Sequence, residues 1–300
     1  MSEELLISTF CIVDDFCASF ESDWNSILIE SSQQQGIKKP SRRPQMSLSE
    51  LMTVVIMFHQ SGYRTFKHYY VQYVRQFWRQ YFPQLVSYCR FVYLMQRVVF
   101  PLFCFLETVL GVCTGISFID STLLSVCHIR RASSHKVFKR AAKKGKVTTG
   151  WFFGFKLHLV INEHGEIVSY MLSTGNVSDI SAVSHLTRNC FGQLFGDKGY
   201  LSQSKFSELY EKGIQLITKI RKNMKNKLMP MMDKLLLKKR GLIESVNNQL
   251  KSGCQIEHHR HRSRINFVVN LFGGLIAYQL QDKKPSIYVS PREVAMLQVA

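Results

Sequence analysis

Apolar residues in the first thirty positions recur at helical spacing, at Leu5, Phe10, Ile12, Val13, Phe16, Phe20 and Trp24. That periodicity predicts an N-terminal helix over residues 1–30. The pattern then lapses: Ser31 to Gln45 is polar, basic and proline-bearing, so residues 31–46 read as a linker. Ser47 or Ser49 next offers a cap for a helix with Leu51, Val54, Val55, Met57 and Phe58 on its apolar side. The stretch Gln60-Ser61-Gly62-Tyr63 interrupts that helix, and Thr65 can cap a second one through Tyr69, Tyr70 and Tyr73 toward Trp78. Tyr88 to Leu110 adds one or two further core helices.

From Gly115 the period changes from helical to extended. Ile116 to Ile119 is a short apolar run ending on Asp120, as expected of a buried strand. In Trp151 to Asn162, Phe153, Phe155, Leu157, Leu159 and Ile161 alternate with Lys156 and His158, and a turn at Glu163-His164-Gly165 leads into a third strand, Ile167 to Ser173. Asp179 reads as the cap of a helix bearing Ile180, Val183 and Leu186. Gln193 to Gly196 is a strand closing on Asp197, Ser202 to Lys212 a helix, Gln215 to Ile220 a strand, and Leu235 to Lys251 a long helix. This order predicts an α/β fold with a mixed sheet over residues 115–282, preceded by an all-α region over 47–114 and followed by a tail over 283–300.

Charge changes the picture. The 300-residue chain carries 39 Lys and Arg against 21 Asp and Glu, a net charge of +18. Residues 1–30 hold seven acids and no Lys or Arg, so the remainder stands at +25. Such an excess implies a polyanionic partner. It gives the two helices at 47–78 a second meaning, because two helices joined by a glycine turn match the helix-turn-helix plan and Arg64, Lys67, Arg75 and Arg79 stud the second. An ordinary packed helical hairpin would show the same pattern. The eight cysteines include no C-x-x-C pair, which argues against a zinc knuckle or a secreted disulfide framework and for a reducing compartment. Acids stand where a signal peptide would be basic, and the apolar stretch Phe91 to Ile119 is broken by Arg97, Pro101 and Glu107. A cytoplasmic protein without a membrane partner is expected.

Asp120 and Asp197 end apolar strands, and Glu244 sits on the long helix. Spacings of 77 and 47 residues leave room for the intervening elements to bring the three together. Crowded carboxylates repel and partly protonate unless a cation neutralises them, and hard divalent ions accept oxygen donors. Two such ions would serve phosphoryl transfer. On the helix, Arg240, Glu244, Asn248 and Lys251 form one stripe opposite Leu242, Ile243, Val246 and Leu250. A surface helix with ordinary charge pairs would look similar.

FIDST around Asp120, FGDKGY around Asp197, and Arg240 through Glu244 to Lys251 together resemble the DDE transposases of bacterial insertion sequences, over roughly residues 115–280; Gly175 to Val183 also fits. The resemblance implies an RNase H-like fold and Mg2+-dependent cleavage and joining of DNA at element ends, with Mn2+ as a substitute. It also implies Asp120, Asp197 and Glu244 as the metal-binding catalytic triad, Arg240 and Lys251 near the cut, and a dimer on DNA. Many relatives have a tyrosine three residues before that arginine; here it is Leu237.

Two basic runs flank the acids. Ser121 to Asn162 holds nine Lys or Arg and no acid, among them Arg130, Arg131, Lys139, Arg140, Lys143, Lys144 and Lys156, mostly on a loop expected from Ser133 to Thr149. Lys219 to Arg240 holds nine more against Asp233 alone. Phosphates approaching the acids would meet these cations, with Lys198 beside Asp197 as a further contact. Cys254 with His258, His259 and His261 fits no standard zinc spacing. Double-stranded DNA, as terminal inverted repeats and target, is the expected partner. A nuclease that cuts without joining, or a DNA-binding regulator without catalysis, would share much of this pattern.

Overall fold

The protein's structure, a computed structural model, describes residues 2–35, 45–147, 150–219, 229–258 and 261–288, with side chains undescribed over 23–35. The N-terminal helix α1 spans Glu3–Gln35, so helix occupies the first residues assigned to the linker. Residues 36–44, most of that linker, lie outside the described residues. Helix α2, Leu48–Phe58, starts at a reciprocal cap: Ser47 Oγ accepts from the Glu50 amide at 3.0 Å, and Glu50 Oε2 accepts from the Ser47 amide at 2.7 Å. Every residue of α2 from Leu51 to Phe58 is buried, so the helix beyond its first turn is enclosed on all sides.

Thr65 caps the next helix as expected. That helix comprises α3, Phe66–His68, a π-helical segment Tyr69–Val74, and α4, Arg75–Phe77. The wider turn brings two consecutive tyrosines inward. Tyr69 donates its hydroxyl to the Val54 carbonyl at 3.2 Å and Tyr70 to Val86 at 2.7 Å, which gives both buried hydroxyls a partner. Arg64, Lys67, Arg75 and Arg79 remain exposed.

Helix α5, Tyr88–Leu94, passes through a 3-10 turn, Met95–Val98, into α6, Val99–Thr108. The run Tyr88–Thr108 is long and apolar enough to cross a bilayer, with a mean hydropathy of 1.5. In the fold it is a core element: Phe91, Leu94, Val98, Leu102, Phe105 and Leu106 are buried among the other helices.

The sheet begins with β1, Ile116–Cys127, followed by β2, Lys143–Val147, β3, Gly150–Asn162, and β4, Ile167–Thr174. Helix α7, Asp179–Leu186, strand β5, Gly192–Gly196, helix α8, Gln203–Glu211, and strand β6, Ile214–Thr218, complete the alternation. Strand β3 lies antiparallel to β1 on one edge, while β2 and β4 share its other edge. Strands β5 and β6 continue beyond β1 in parallel. This is an RNase H-like mixed sheet.

Three local expectations change. Asp120 is the fifth of twelve strand residues rather than the last, because polar Ser121 and Thr122 pair with His158 and Leu157 and carry β1 onward. Residues 143–147, expected in a loop, form an edge strand whose lysines disguise it in the sequence. The long helix is broken: α9, Met231–Lys239, and α10, Gly241–Asn248, meet at Arg240, and a π-helical turn, Gln249–Gly253, follows. Gly241 at the junction lowers the helical propensity there.

Helices α7 and α8 cover one face of the sheet over Ile119, Val160, Leu194 and Leu216, while α9 and α10 contact β1, β5 and β6. At the bulge in β1 between Ser125 and Cys127, a side chain at Gly154 would place its Cβ 2.0 Å from the Leu124 carbonyl oxygen, so only glycine permits this pairing. The last helix, α11, Arg264–Gln279, lies within the sequence segment 115–282 but packs on α2 and α6. Packing thus divides the chain into two compact units. One comprises Met1–Val109, Gly253–Ile256 and His261–Leu280, the other Leu110–Ser252, Glu257–Arg260 and Gln281–Ala300. Among the described residues no cysteine is joined in a disulfide.

Candidate active site

Parallel pairing of β1 with β5 matches Ile116 to Gln193 and Phe118 to Phe195. Two residues further along each strand direction stand Asp120 and, one position past the end of β5, Asp197. The register that was set by apolar pairing therefore brings both acids to one level. Across β1, Asp120 lies opposite Leu159 of β3.

Asp120 is mostly buried, and its carboxyl is pushed up to about 6, chiefly by burial. A hydrogen bond from the Ser121 amide and the charge of Arg240 oppose that shift, while the carboxylates of Glu244 and Asp197 reinforce it. Asp197 and Glu244 are thus each within electrostatic reach of Asp120. Glu244, exposed on α10, is held by Arg240 at 2.8 Å. Asn247, one turn further along α10, donates Nδ2 to Asp120 Oδ2 at 3.4 Å. Its Oδ1 is buried without a partner, as is Nη1 of Arg240.

Among the described residues, no three His, Cys, Asp or Glu side chains are gathered into a ready metal cage. The donor set nonetheless suits a hard divalent cation. Asp120 is a buried carboxyl short of positive charge, its neighbours are oxygen donors, and the orphaned Asn247 oxygen adds an unsatisfied acceptor.

The expected DNA contacts fall into three groups. Arg130, Arg131, Lys139, Arg140, Lys143 and Lys144 are exposed on the segment leaving β1, and Lys198 is exposed beside Asp197. Lys251 is only half-exposed and is paired with Glu257 at 3.0 Å. Lys156 is largely buried and engaged on the opposite face of the sheet, which withdraws it from a phosphate-facing surface. Arg221, Lys222, Lys225 and Lys227 of the second basic run lie outside the described residues.

Three participants escape sequence reading. Asn247 was hidden by its absence from the charged stripe, although its place one turn after Glu244 is a usable signal. Glu257 accepts the Ser125 amide at 2.8 Å as well as holding Lys251, so it ties the bulged end of β1 to the turn after α10. Asp179 is not the cap of α7: Ser178 occupies that position. The Asp179 carboxylate instead turns to the sheet, accepting from Ser121 Oγ at 2.8 Å and Lys156 Nζ at 3.1 Å, with His158 Nδ1 at 3.8 Å. Tyr200 is buried close by, its hydroxyl made less acidic first by burial and then by Asp120 and Asp179.

Residues 110–264 match the family model described as the transposase DDE domain. No curated protein matches the chain. Among solved structures, the chain is similar to the piggyBac transposase in its synaptic complex with hairpin DNA, at 10% identity and a TM-score of 0.45, covering 86% of this chain and 73% of that one. It is also similar to the Mos1 strand transfer complex, at 12% identity and a TM-score of 0.24, covering 91% and 97% respectively.

Proposed function

This chain belongs to the transposase DDE-domain family, and on that premise we propose that it cuts DNA at the ends of a mobile element and joins those ends to target DNA. Asp120, Asp197 and Glu244 are the residues that would hold Mg2+, or Mn2+ in its place. When bound, such ions activate an oxygen nucleophile and stabilise the leaving oxygen of the phosphodiester. The remaining work falls to the chain itself. Glu244 would be one of the residues to hold the ion, and Arg240, which now pairs with it and already carries one unsatisfied nitrogen, would then be available to a phosphate oxygen. Asn247 keeps the Asp120 carboxyl oriented through its amide. Exposed Lys198, Arg130, Arg131, Lys139 and Arg140 receive the flanking phosphates. The partners are terminal inverted repeats and target duplex, bound by a homodimer in the cytoplasm, with exposed Arg64, Lys67, Arg75 and Arg79 contributing to end binding.

The observation that most supports this function is the shared level of Asp120 and Asp197 across the β1–β5 pairing, with Glu244 close enough to raise the Asp120 carboxyl. The test is cleavage of a plasmid carrying the DNA that flanks this gene, with and without Mg2+, by wild type and Asp120→Asn. Metal-dependent nicking at a defined end, lost in the variant, is expected, together with joined products. Nicking without joining would make the protein a nuclease. Tight binding with no cleavage by wild type would make it a DNA-binding regulator.

A further inference from the structure

Tryptophan is usually covered, and Trp78 is buried with 4% of its surface exposed, yet Trp151 is 59% exposed at the start of β3. The charged residues of its own hairpin are all basic. In the β2–β3 hairpin Lys146 pairs directly with Trp151 and Lys144 with Phe153, so the four side chains share one face. Lys146 Nζ lies 6.0 Å from the Trp151 ring centroid, and no acid occurs anywhere from Ser121 to Asn162. Phe153, two residues inward on this face, is buried beside the His135 ring. Trp151 has no such cover.

The hairpin is firmly seated from behind. A Cβ at Gly145 would lie 2.1 Å from the Gly175 carbonyl oxygen, so backbone meets backbone there and glycine alone permits the approach. The front face is therefore presented by a braced element. It is also the face of Asp120: Leu159, the partner of Asp120, and Trp151 are an even number of β3 residues apart. Eight residues of strand separate them, roughly 25 Å at the usual rise, or about seven nucleotides along a DNA strand.

Resting on the DNA reading above, we infer that the β2–β3 hairpin is a DNA contact in which Trp151 stacks on an unpaired base while Lys144 and Lys146 hold the flanking phosphates. Lysines alone suffice for an intact duplex, which shows its surroundings phosphates and base edges. A flat indole gains from DNA only where a base has left the stack and bares its ring face. Cation and aromatic side by side is the combination that single-stranded or distorted DNA requires.

The test uses the full chain and two duplexes of equal length, one fully paired and one with a single bulged 2-aminopurine. Wild type should bind the bulged duplex roughly tenfold more tightly, with 2-aminopurine emission falling on binding. Trp151→Ala should lose both the preference and the quenching while holding the paired duplex within about twofold, and Trp151→Phe should keep part of each. Lys144→Gln with Lys146→Gln should weaken both duplexes alike and lower the salt slope by about two. A bulge preference in Trp151→Ala equal to that of wild type overturns the hairpin contact but leaves the transposase reading standing. Binding of neither duplex by wild type overturns both.

Discussion

Two carboxylates flank the same stretch of β1 from opposite faces, and they differ in what neutralises them. Asp179 reaches the strand from α7 and meets the Lys156 ammonium, the Ser121 hydroxyl and, slightly further off, His158. Its charge is answered within the protein. Asp120, on the other face, receives one long side-chain hydrogen bond from Asn247 and a carboxyl pushed up to about 6, while the Arg240 guanidinium is paired to Glu244. The fold has completed one site and left the other short of cation. A buried carboxylate with no cation paired to it is costly, which supports Asp120 as a proposed ligand, whereas Asp179 serves the architecture.

The largest expected contrast is in catalysis. Asp120→Asn should reduce DNA cleavage by on the order of a thousandfold with no loss of melting temperature, while Asp179→Asn should lower stability yet leave residual cleavage. Equal cleavage loss in two well-folded variants would erase the distinction between the faces.

Acid should also separate the two. The fully buried His158 has its pKa lowered to about 4, first by burial and then by Lys156, against the pull of Asp179. Unfolded, the ring takes a proton near its ordinary value of 6.5, so the contribution is complete above that pH and is lost as pH falls from 6.5 through 4. Full loss is about 3 kcal/mol. Urea denaturation between those pH values should show a steeper decline in wild type than in His158→Gln; parallel curves would mean the imidazole is not held neutral.

Asp179→Ala strands the largely buried Lys156 and should cost about 1–3 kcal/mol, below a fully buried pair because the Asp179 side chain is 31% exposed. A smaller effect is expected at Glu257→Gln, which keeps an acceptor for the Ser125 amide but ends the half-exposed pairing with Lys251. Stability should fall by less than about 1 kcal/mol, and DNA binding should strengthen modestly at low salt. Weaker binding would show that Glu257 holds Lys251 in its working position.

What was legible in the chain follows from local chemistry. Ser47 and Glu50 announce their helix because a reciprocal cap needs only residues three apart. The alternation in 151–162 announces β3 because one sheet face is apolar. Strand β2 escaped because an edge strand needs no apolar face, and its three lysines read as solvated loop. The break at Arg240–Gly241 escaped because a single glycine seldom ends a helix unless tertiary contacts favour the bend. Asp179 looked like a cap because Asp before an apolar run usually is one; the cation that drew it inward comes from Lys156, 23 residues away.

By itself, the sequence determined the element types, the polyanion-seeking charge, and the identity of three acids placed where strands and a helix could gather them. Tertiary structure alone decided which cations were already spent. Lys156 and Lys251 look like their exposed neighbours in the chain, yet each is occupied by a carboxylate that only folding brings near. The reason is physical: residue type fixes a side chain's charge, but burial and the partners within a few ångströms set what that charge can still bind.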